Sequence, residues 1–483
     1  MKSNMKILLT QPLWPRKVQF GHFGLSSGNN TFSYGMASIA AYCKKKKIAI
    51  SIFDPILYDD GVVEQFFIKY IHSHGFDVIG MPCYTASVDY VFNTAKVIKN
   101  IRPECRVVLG GIHPTILPEE TLKECRYVDY LVLGEGEETF YELIQVIEGR
   151  LDLSCVNGLA YRENNTIKIN QRRGLMNPQE FPIPAYELFA LQKYVPAPHL
   201  VKNAPAYVMV TQRGCPFKCT FCNANEIHGD RVRCKPVGMV IEEILYLIKH
   251  YGARGIIFYD STFTVNHKWV NELCEQILNK NLRISWYCGT RTDMVNKDLL
   301  KAMKRAGCFM ISYGIESASQ RTLKLIEKCI NIQEAVDAVN LTIRLGFRVC
   351  TMYILGLPRE NREDVLKTVE LAKKISSHIA FFFLPTPFPK TKLYYDCQKD
   401  GGLRKDIKWS DYNMTNFSDP VYINPAFSLE EYKGLINYAY KSYYTCPKVI
   451  FRNLSKLNNL TNAYNISKAF MAMSRFIFGK VYR

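Results

Sequence analysis

Two long stretches of this chain repeat one rhythm, a short apolar run followed by a longer amphipathic one, and a proline-rich segment separates them. That alternation is the strongest constraint on the fold, because a regular strand–helix–strand rhythm argues for strands paired in parallel through crossover helices. In the first stretch the expected strands are Lys6–Thr10, Ala49–Asp54, Asp77–Met81, Arg106–Gly110 and Tyr130–Gly134. Helical runs at Tyr34–Lys46, Val62–His74, Tyr90–Ile101 and Glu137–Glu148 separate them. The pattern predicts an α/β doubly wound parallel sheet that binds ligands at the carboxyl ends of its strands. A hairpin, Gly158–Arg162 with Thr166–Asn170, closes it, and Asn177–Pro205 carries six prolines with little periodicity, which marks a linker.

The second rhythm starts at Tyr207, with strands expected at Tyr207–Gln212, Gly255–Tyr259, Arg283–Cys288, Phe309–Tyr313, Arg348–Ile354 and Ile379–Leu384. Six such units suit a partial (β/α)6 barrel, whose chemistry sits at the carboxyl ends of the strands. The expected division is therefore 1–150, 151–205 as hairpin and linker, 206–385 as barrel, and 386–483 as a mostly helical basic region. No run of 18 or more apolar residues is present to span a membrane. The 16 cysteines are scattered through a long chain with no signal peptide, which predicts a reducing compartment, the cytoplasm.

Directly after the first barrel strand stands Arg213-Gly214-Cys215-Pro216-Phe217-Lys218-Cys219-Thr220-Phe221-Cys222. Three thiolates at this spacing can hold three irons of a [4Fe–4S] cube and leave the fourth iron without a protein ligand. S-adenosylmethionine can chelate such an iron, so that an electron from the cluster breaks its carbon–sulfur bond and releases a radical. The competing reading is a zinc knot completed by Cys234 or His228, although zinc sites usually bring thiolates in close pairs. The other thirteen cysteines show no ligand spacing and are assigned to packing.

The triplet in its setting resembles the radical S-adenosylmethionine superfamily, and the resemblance covers nearly the whole chain. It implies cofactor-binding roles at the later strand ends. Tyr259-Asp260-Ser261-Thr262-Phe263 stands where relatives commonly carry Gly-Gly-Glu, and its Asp-centred form is similar to the cobalamin-binding subgroup. Asp260 is thus a candidate for cofactor contact, with helix capping as the alternative. Arg291 could meet the cofactor carboxylate or form a surface salt bridge. Gly314-Ile315-Glu316-Ser317 looks like the ribose-binding turn, with Glu316 accepting from both vicinal hydroxyls. In Leu355-Gly356-Leu357-Pro358-Arg359-Glu360 an arginine replaces the second glycine of Gly-x-Pro-Gly-Glu. That leaves Gly356 for close approach to the adenine and the role of Glu360 open.

The first domain resembles the corrinoid-holding domain of the cobalamin-binding members through Thr10-Gln11-Pro12, Thr85, Gly110, Gly111, His113 and Glu135-Gly136-Glu137. Many cobalamin domains place a histidine below the cobalt through Asp-x-His-x-x-Gly. Here Asp54-Pro55-Ile56 has isoleucine at that place, so the resemblance implies a corrinoid whose lower face lacks a histidine, or a domain that keeps the fold without the cofactor.

The implied cofactors are a [4Fe–4S] cluster, S-adenosylmethionine and cobalamin. The implied activity is methyl transfer to an unreactive carbon of a small-molecule substrate, including hydrophobic ones. An oxidative cyclase or rearranging enzyme, as in the anaerobic magnesium-protoporphyrin ester cyclases, is the alternative within the family. A zinc-dependent nucleic-acid-binding protein is the alternative outside it. The cluster's need for electrons implies a donor such as ferredoxin or flavodoxin. No residue is assigned to handling the substrate radical.

Half of the net charge of +18 lies in Tyr432–Arg483, which has nine Lys or Arg and no Asp or Glu. Tyr438, Tyr440, Tyr443, Tyr444, Phe451, Phe470, Phe476 and Phe478 interleave with them. Such a stretch fits a basic helical cap, peripheral membrane contact, or, less well, a nucleic-acid grip.

Overall fold

The computed structural model describes residues 5–16, 18–19 and 30–454. The chain forms two units. Of the described residues, the first comprises those up to 19, 30–194 and 223–233, and the second 195–222 and 234–454.

The first unit is built on a seven-stranded sheet of β1 (Ile7–Thr10), β2 (Ser51–Phe53), β3 (Val78–Pro82), β4 (Arg106–Gly110), β5 (Tyr130–Val132), β6 (Leu159–Glu163) and β7 (Thr166–Ile169), in the order β2-β1-β3-β4-β5-β6-β7. Strands β1 to β5 are parallel, as the alternation predicts, and their central residues are buried because helices cover both faces. Phe67, Ile71, Val78, Ile79, Leu109 and Leu131 form the core, each wholly buried. Val78 and Ile79 are adjacent on β3, so their side chains anchor opposite faces of the sheet. The strand order reverses between β1 and β3, and this places the loops after those two strands on either side of the crevice where such sheets take ligands.

The hairpin β6–β7 is not a separate closure. It adds to the same sheet, antiparallel to β5. The expected linker is also corrected up to Tyr194. Phe181, Tyr186, Phe189, Leu191 and Tyr194 are buried, and Phe32 packs against Tyr186, Phe189 and Tyr194 with ring centroids 5.4 to 6.2 Å apart. The prolines there set short helical turns rather than a loose tether.

The second unit has six parallel strands: β8 (Ala206–Met209), β9 (Gly255–Phe258), β10 (Ser285–Thr290), β11 (Cys308–Glu316), β12 (Arg348–Ile354) and β13 (Ile379–Phe383). They pair strictly in chain order, the partial barrel expected from the sequence, with β8 and β13 as its edges. Returning helices include Val237–Tyr251, His267–Asn279, Lys297–Arg305, Ile332–Arg344 and Arg362–Ile375, and β11 runs three residues further than expected, through a register shift at Gly314 to Glu316. That bulge turns Glu316 into the left-handed region, at φ 67°.

Helices Lys392–Lys399, Leu429–Tyr444 and Pro447–Leu454 follow the barrel. The helix Leu429–Tyr444 covers the β13 edge with tyrosine hydroxyls. Tyr440 Oη donates to the Phe382 carbonyl at 3.0 Å and accepts from its N–H at 3.2 Å; Tyr444 Oη makes the same pair with Ala380 at 2.9 and 3.1 Å. Tyr443 Oη donates to the Ser377 carbonyl at 2.6 Å. Up to Leu454 this region is therefore a helical cap. Phe470, Phe476, Phe478 and the basic residues from Lys456 on lie outside the described residues. Among the described residues no helix is long and apolar enough to cross a membrane.

Candidate functional site

The loop that carries Cys215, Cys219 and Cys222 leaves the end of β8 through Gln212 and Arg213, and Gly214 turns it at φ 92°, a conformation that favours glycine. Asp260, at the end of β9, braces its root. One carboxylate oxygen accepts the backbone N–H groups of Thr211 at 2.7 Å and Gln212 at 2.9 Å, and the other accepts the Thr211 hydroxyl at 2.5 Å. Asp260 is buried, and desolvation raises its pKa to about 6 against the pull of those hydrogen bonds and Lys235. Both of its oxygens thus accept bonds from the root of the loop rather than capping a helix. Gln212 Nε2 adds a bond to the Phe263 carbonyl at 2.8 Å.

Further along, the Thr220 N–H donates to the Ile326 carbonyl at 3.0 Å, and the Thr220 carbonyl accepts from Leu393 N at 2.9 Å. Cys215 Sγ lies 3.7 Å from Thr262 Oγ1. Cys215 and Cys219 are half-buried and Cys222 is exposed. Arg291 is buried with its guanidinium 3.8 Å from the Phe217 ring centroid and Nη1 3.9 Å from Cys219 Sγ. Asp293 holds it at 3.0 and 2.8 Å, and its Nη2 also donates to the Lys328 carbonyl at 2.7 Å. Arg291 does form a salt bridge, with Asp293, but from a buried position beside the cysteine loop rather than on the surface. Burial raises the Cys219 pKa, and the Lys328 and Arg291 charges oppose that rise.

This donor set fits an iron–sulfur cube. Cys215, Cys219 and Cys222 are three thiolates on one short loop, and the ligands of a cube each take a different iron. Of the other thirteen cysteines, nine are buried; Cys155 and Cys329 are exposed, so packing does not account for those two.

At the end of β11, Glu316 is buried and Lys328 Nζ stands 3.0 Å from its Oε1. Gly356, at φ 78° after β12, makes a close approach to Tyr432: a Cβ there would lie 2.2 Å from the tyrosine ring, and Tyr432 Oη donates to its carbonyl at 2.8 Å. The approach of Tyr432 is one reason a glycine is needed here. Glu360 has a defined role in the same turn. It accepts from Gly356 N and Leu357 N at 3.0 Å each, and from Ser317 Oγ at 2.7 Å, so it ties this turn to the one after β11. Asn424 Nδ2 donates to the Leu357 and Glu360 carbonyls at 2.7 and 3.0 Å.

In the first unit, Thr10 ends β1, Pro12 lies just beyond it and Thr85 follows β3, so the three flank the switch crevice. Gly111 follows β4 at φ 99°, where a Cβ would stand 3.1 Å from the Cys83 carbonyl. The strand-end loops are laced together. Cys83 N donates to the Gly110 carbonyl at 2.7 Å, Thr115 Oγ1 to the Gly111 carbonyl at 2.6 Å, and Gly134 N to Thr115 Oγ1 at 3.0 Å. His113 is wholly buried, and desolvation lowers its pKa to about 4, so the imidazole is neutral.

The acidic residues after β5 serve other purposes. The Glu135 side chain, 5% exposed, accepts from Arg233 Nη2 at 2.6 Å, Arg233 Nη1 at 3.0 Å and Met176 N at 3.0 Å, besides meeting His228. Glu137 accepts from Ser38 Oγ at 2.7 Å inside the unit, and a Cβ on Gly136 would lie 3.2 Å from Ile39. All three positions make contacts within the first unit. Asp54 accepts from Tyr194 Oη at 2.6 Å and Ile56 N at 3.2 Å, and Ile56 is buried. The donor chemistry at this strand edge fits a corrinoid that takes no imidazole from this motif.

Sequence reasoning missed Lys328, Asn424, Tyr432 and Arg233, each of which acts through a contact distant in the chain and belongs to no spacing pattern that could have marked it; Thr262 stood in a quoted motif but was given no role.

The model of the Radical SAM superfamily matches residues 209–372, and that of the B12 binding domain matches residues 23–144. An uncharacterized methyltransferase of Pyrococcus horikoshii is 35% identical over 424 residues, 87% of this chain and 89% of its own length. The anaerobic magnesium-protoporphyrin IX monomethyl ester cyclase of Rubrivivax gelatinosus is 28% identical over 71% of this chain, which spans 61% of the cyclase. Among solved structures, the radical S-adenosylmethionine methyltransferase TsrM from Kitasatospora setae, with cobalamin and a [4Fe–4S] cluster bound, superposes with a TM-score of 0.71. That likeness, at 14% identity, covers 97% of this chain and 99% of TsrM.

Proposed function

We propose a function from one premise: this chain belongs to the cobalamin-binding radical S-adenosylmethionine family. It is an enzyme that transfers a methyl group to an unreactive carbon of a small molecule. The observation that carries this reading is the thiolate triplet at the carboxyl end of β8, in a chain whose other unit matches the B12 binding domain. The methyltransferase relative, similar over 87% of the chain, supports it.

When bound, the cluster supplies the electron that cleaves the sulfonium cofactor, and the corrinoid supplies methyl-transfer chemistry that side chains lack. The chain's own residues prepare the site. Cys215, Cys219 and Cys222 would hold the cluster, on a loop whose root Asp260 fixes through three hydrogen bonds. Arg291 directs an N–H at the Cys219 sulfur, which favours its thiolate. Glu316 offers acceptor oxygens for the ribose hydroxyls. Thr10, Pro12, Thr85, Gly110, Gly111 and His113 would line the corrinoid edge, where Ile56 supplies no ligand to the metal.

The test is anaerobic reconstitution with iron, sulfide and hydroxocobalamin, followed by incubation of methyl-labelled S-adenosylmethionine with a small-molecule extract. About four irons and one cobalt per chain, with label in a product, is the expected result. Formation of 5′-deoxyadenosine with no label transferred would favour the cyclase reading, which the Rubrivivax relative supports. A low-potential donor such as ferredoxin or flavodoxin would reduce the cluster. We further propose peripheral membrane contact through the basic segment after Leu454, measured by liposome sedimentation of the full chain against one ending at Leu454. Equal partitioning removes that idea, and the cut must spare Tyr440, Tyr443 and Tyr444 because they cap the barrel edge.

A further inference from the structure

Lys328 lies on neither a strand nor a helix, yet it is buried at the junction of two parts of the candidate site. Its ammonium is 3.0 Å from Glu316 Oε1, and its carbonyl accepts from Arg291 Nη2 at 2.7 Å. Two residues earlier, the Ile326 carbonyl accepts from Thr220 N on the cysteine loop at 3.0 Å. Room for the ion pair comes from Gly314, where a Cβ would stand 2.2 Å from Glu316 Oε1 and 2.9 Å from Lys328 Nζ.

A buried ion pair is weak evidence of stability, because both charges lose water and an apolar pair often serves as well. This pair is also built on a bulge that holds Glu316 at φ 67°, a conformation that costs a non-glycine residue energy. Such an arrangement is better explained by what it orients. One carboxylate oxygen is taken by Lys328, and among the described residues Oε2 has no hydrogen-bond partner.

We propose that Lys328 is the positioning residue for the nucleoside part of the sulfonium cofactor, holding Glu316 by Oε1 and leaving Oε2 for the vicinal ribose hydroxyls. Through its carbonyl it also fixes Arg291 beside Cys219, so one residue ties the ribose acceptor to the cluster loop. This rests on the reading of the second unit as the S-adenosylmethionine site.

The experiment compares reconstituted wild type with Lys328→Met, Lys328→Arg, Glu316→Gln and the double variant Lys328→Met/Glu316→Gln. Anaerobic equilibrium binding of S-adenosylmethionine, iron content, and the paramagnetic resonance signal of the reduced cluster are measured. Lys328→Met, which leaves the carbonyl in place, should keep its iron but bind the cofactor roughly 10- to 100-fold more weakly. The change that cofactor induces in the cluster signal should need correspondingly more cofactor, and Lys328→Arg should recover most of the affinity. Binding by Lys328→Met within twofold of wild type overturns the proposal. If Lys328→Met fails to fold because Glu316 is left unpaired, the double variant decides. Affinity equal to that of Glu316→Gln supports action through Glu316, and a further tenfold loss overturns it. A wild type that binds no S-adenosylmethionine would instead overturn the functional reading beneath it.

Discussion

Removing the hydroxyls of Tyr440 and Tyr444 should strip the barrel edge of its cap. Four residues of helix rise about 6.0 Å and two residues of strand about 6.6 Å, so tyrosines four apart can meet alternate residues of β13. They do so at Phe382 and Ala380, whose N–H and C=O groups face away from β12. Each Tyr→Phe change deletes one donated and one accepted bond at buried backbone groups, at about 1 kcal/mol each. The loss is therefore about 2 kcal/mol per tyrosine and about 4 kcal/mol for the pair. The assay is hydrogen exchange of the Ala380 and Phe382 amides, which should quicken about 30-fold at the site of each single change if they exchange by local opening. Tyr438→Phe, on an exposed face of the same helix, should alter neither amide. Exchange within twofold of wild type in the double variant would refute the edge-capping account, and an equal effect from Tyr438→Phe would show that the helix, not the hydroxyls, is at work.

Two further outcomes follow from buried carboxylates. Because folding raises the Asp260 pKa from 3.8 to about 6, its contribution to stability is fully present below pH 3.8 and is lost as the pH rises through 6. Between pH 7.5 and 5.5 the second unit should gain about 0.8 kcal/mol from protonation of Asp260, a gain that Asp260→Asn should lack; parallel pH profiles of denaturant midpoints would count against it. Glu135→Gln should weaken the hold on Arg233 by about 2 kcal/mol, since a part-buried guanidinium loses its charged partner. Trypsin should then cut after Arg233 many times faster than in wild type, and an unchanged cleavage rate would mean that Met176 and His228 contacts alone secure the segment.

The parallel order of both sheets was legible because alternating apolar and amphipathic runs argue for strands paired in parallel through crossover helices, and the thiolate triplet was legible because its ligands are close in the chain. The uses of individual acidic residues were not. Glu135, Asp260 and Glu360 stand at strand ends where a ligand is expected, yet each spends its oxygens on backbone N–H groups or a neighbouring cation. A carboxylate that braces a loop and one that binds a ligand look alike in sequence, since the difference lies in partners far along the chain. The same holds in reverse for Arg359. Its replacement of a family glycine reads as a loss, but the backbone keeps the glycine's left-handed conformation, at φ 66°, and Glu360 still closes the turn. The turn is therefore enforced by the motif's own Glu360 and, from outside it, by Asn424, rather than by its second glycine position, at a cost on the order of 1 kcal/mol for the non-glycine conformation. What this family site requires at that position is a backbone shape, and this chain secures part of that shape with Asn424, a partner that the motif does not contain.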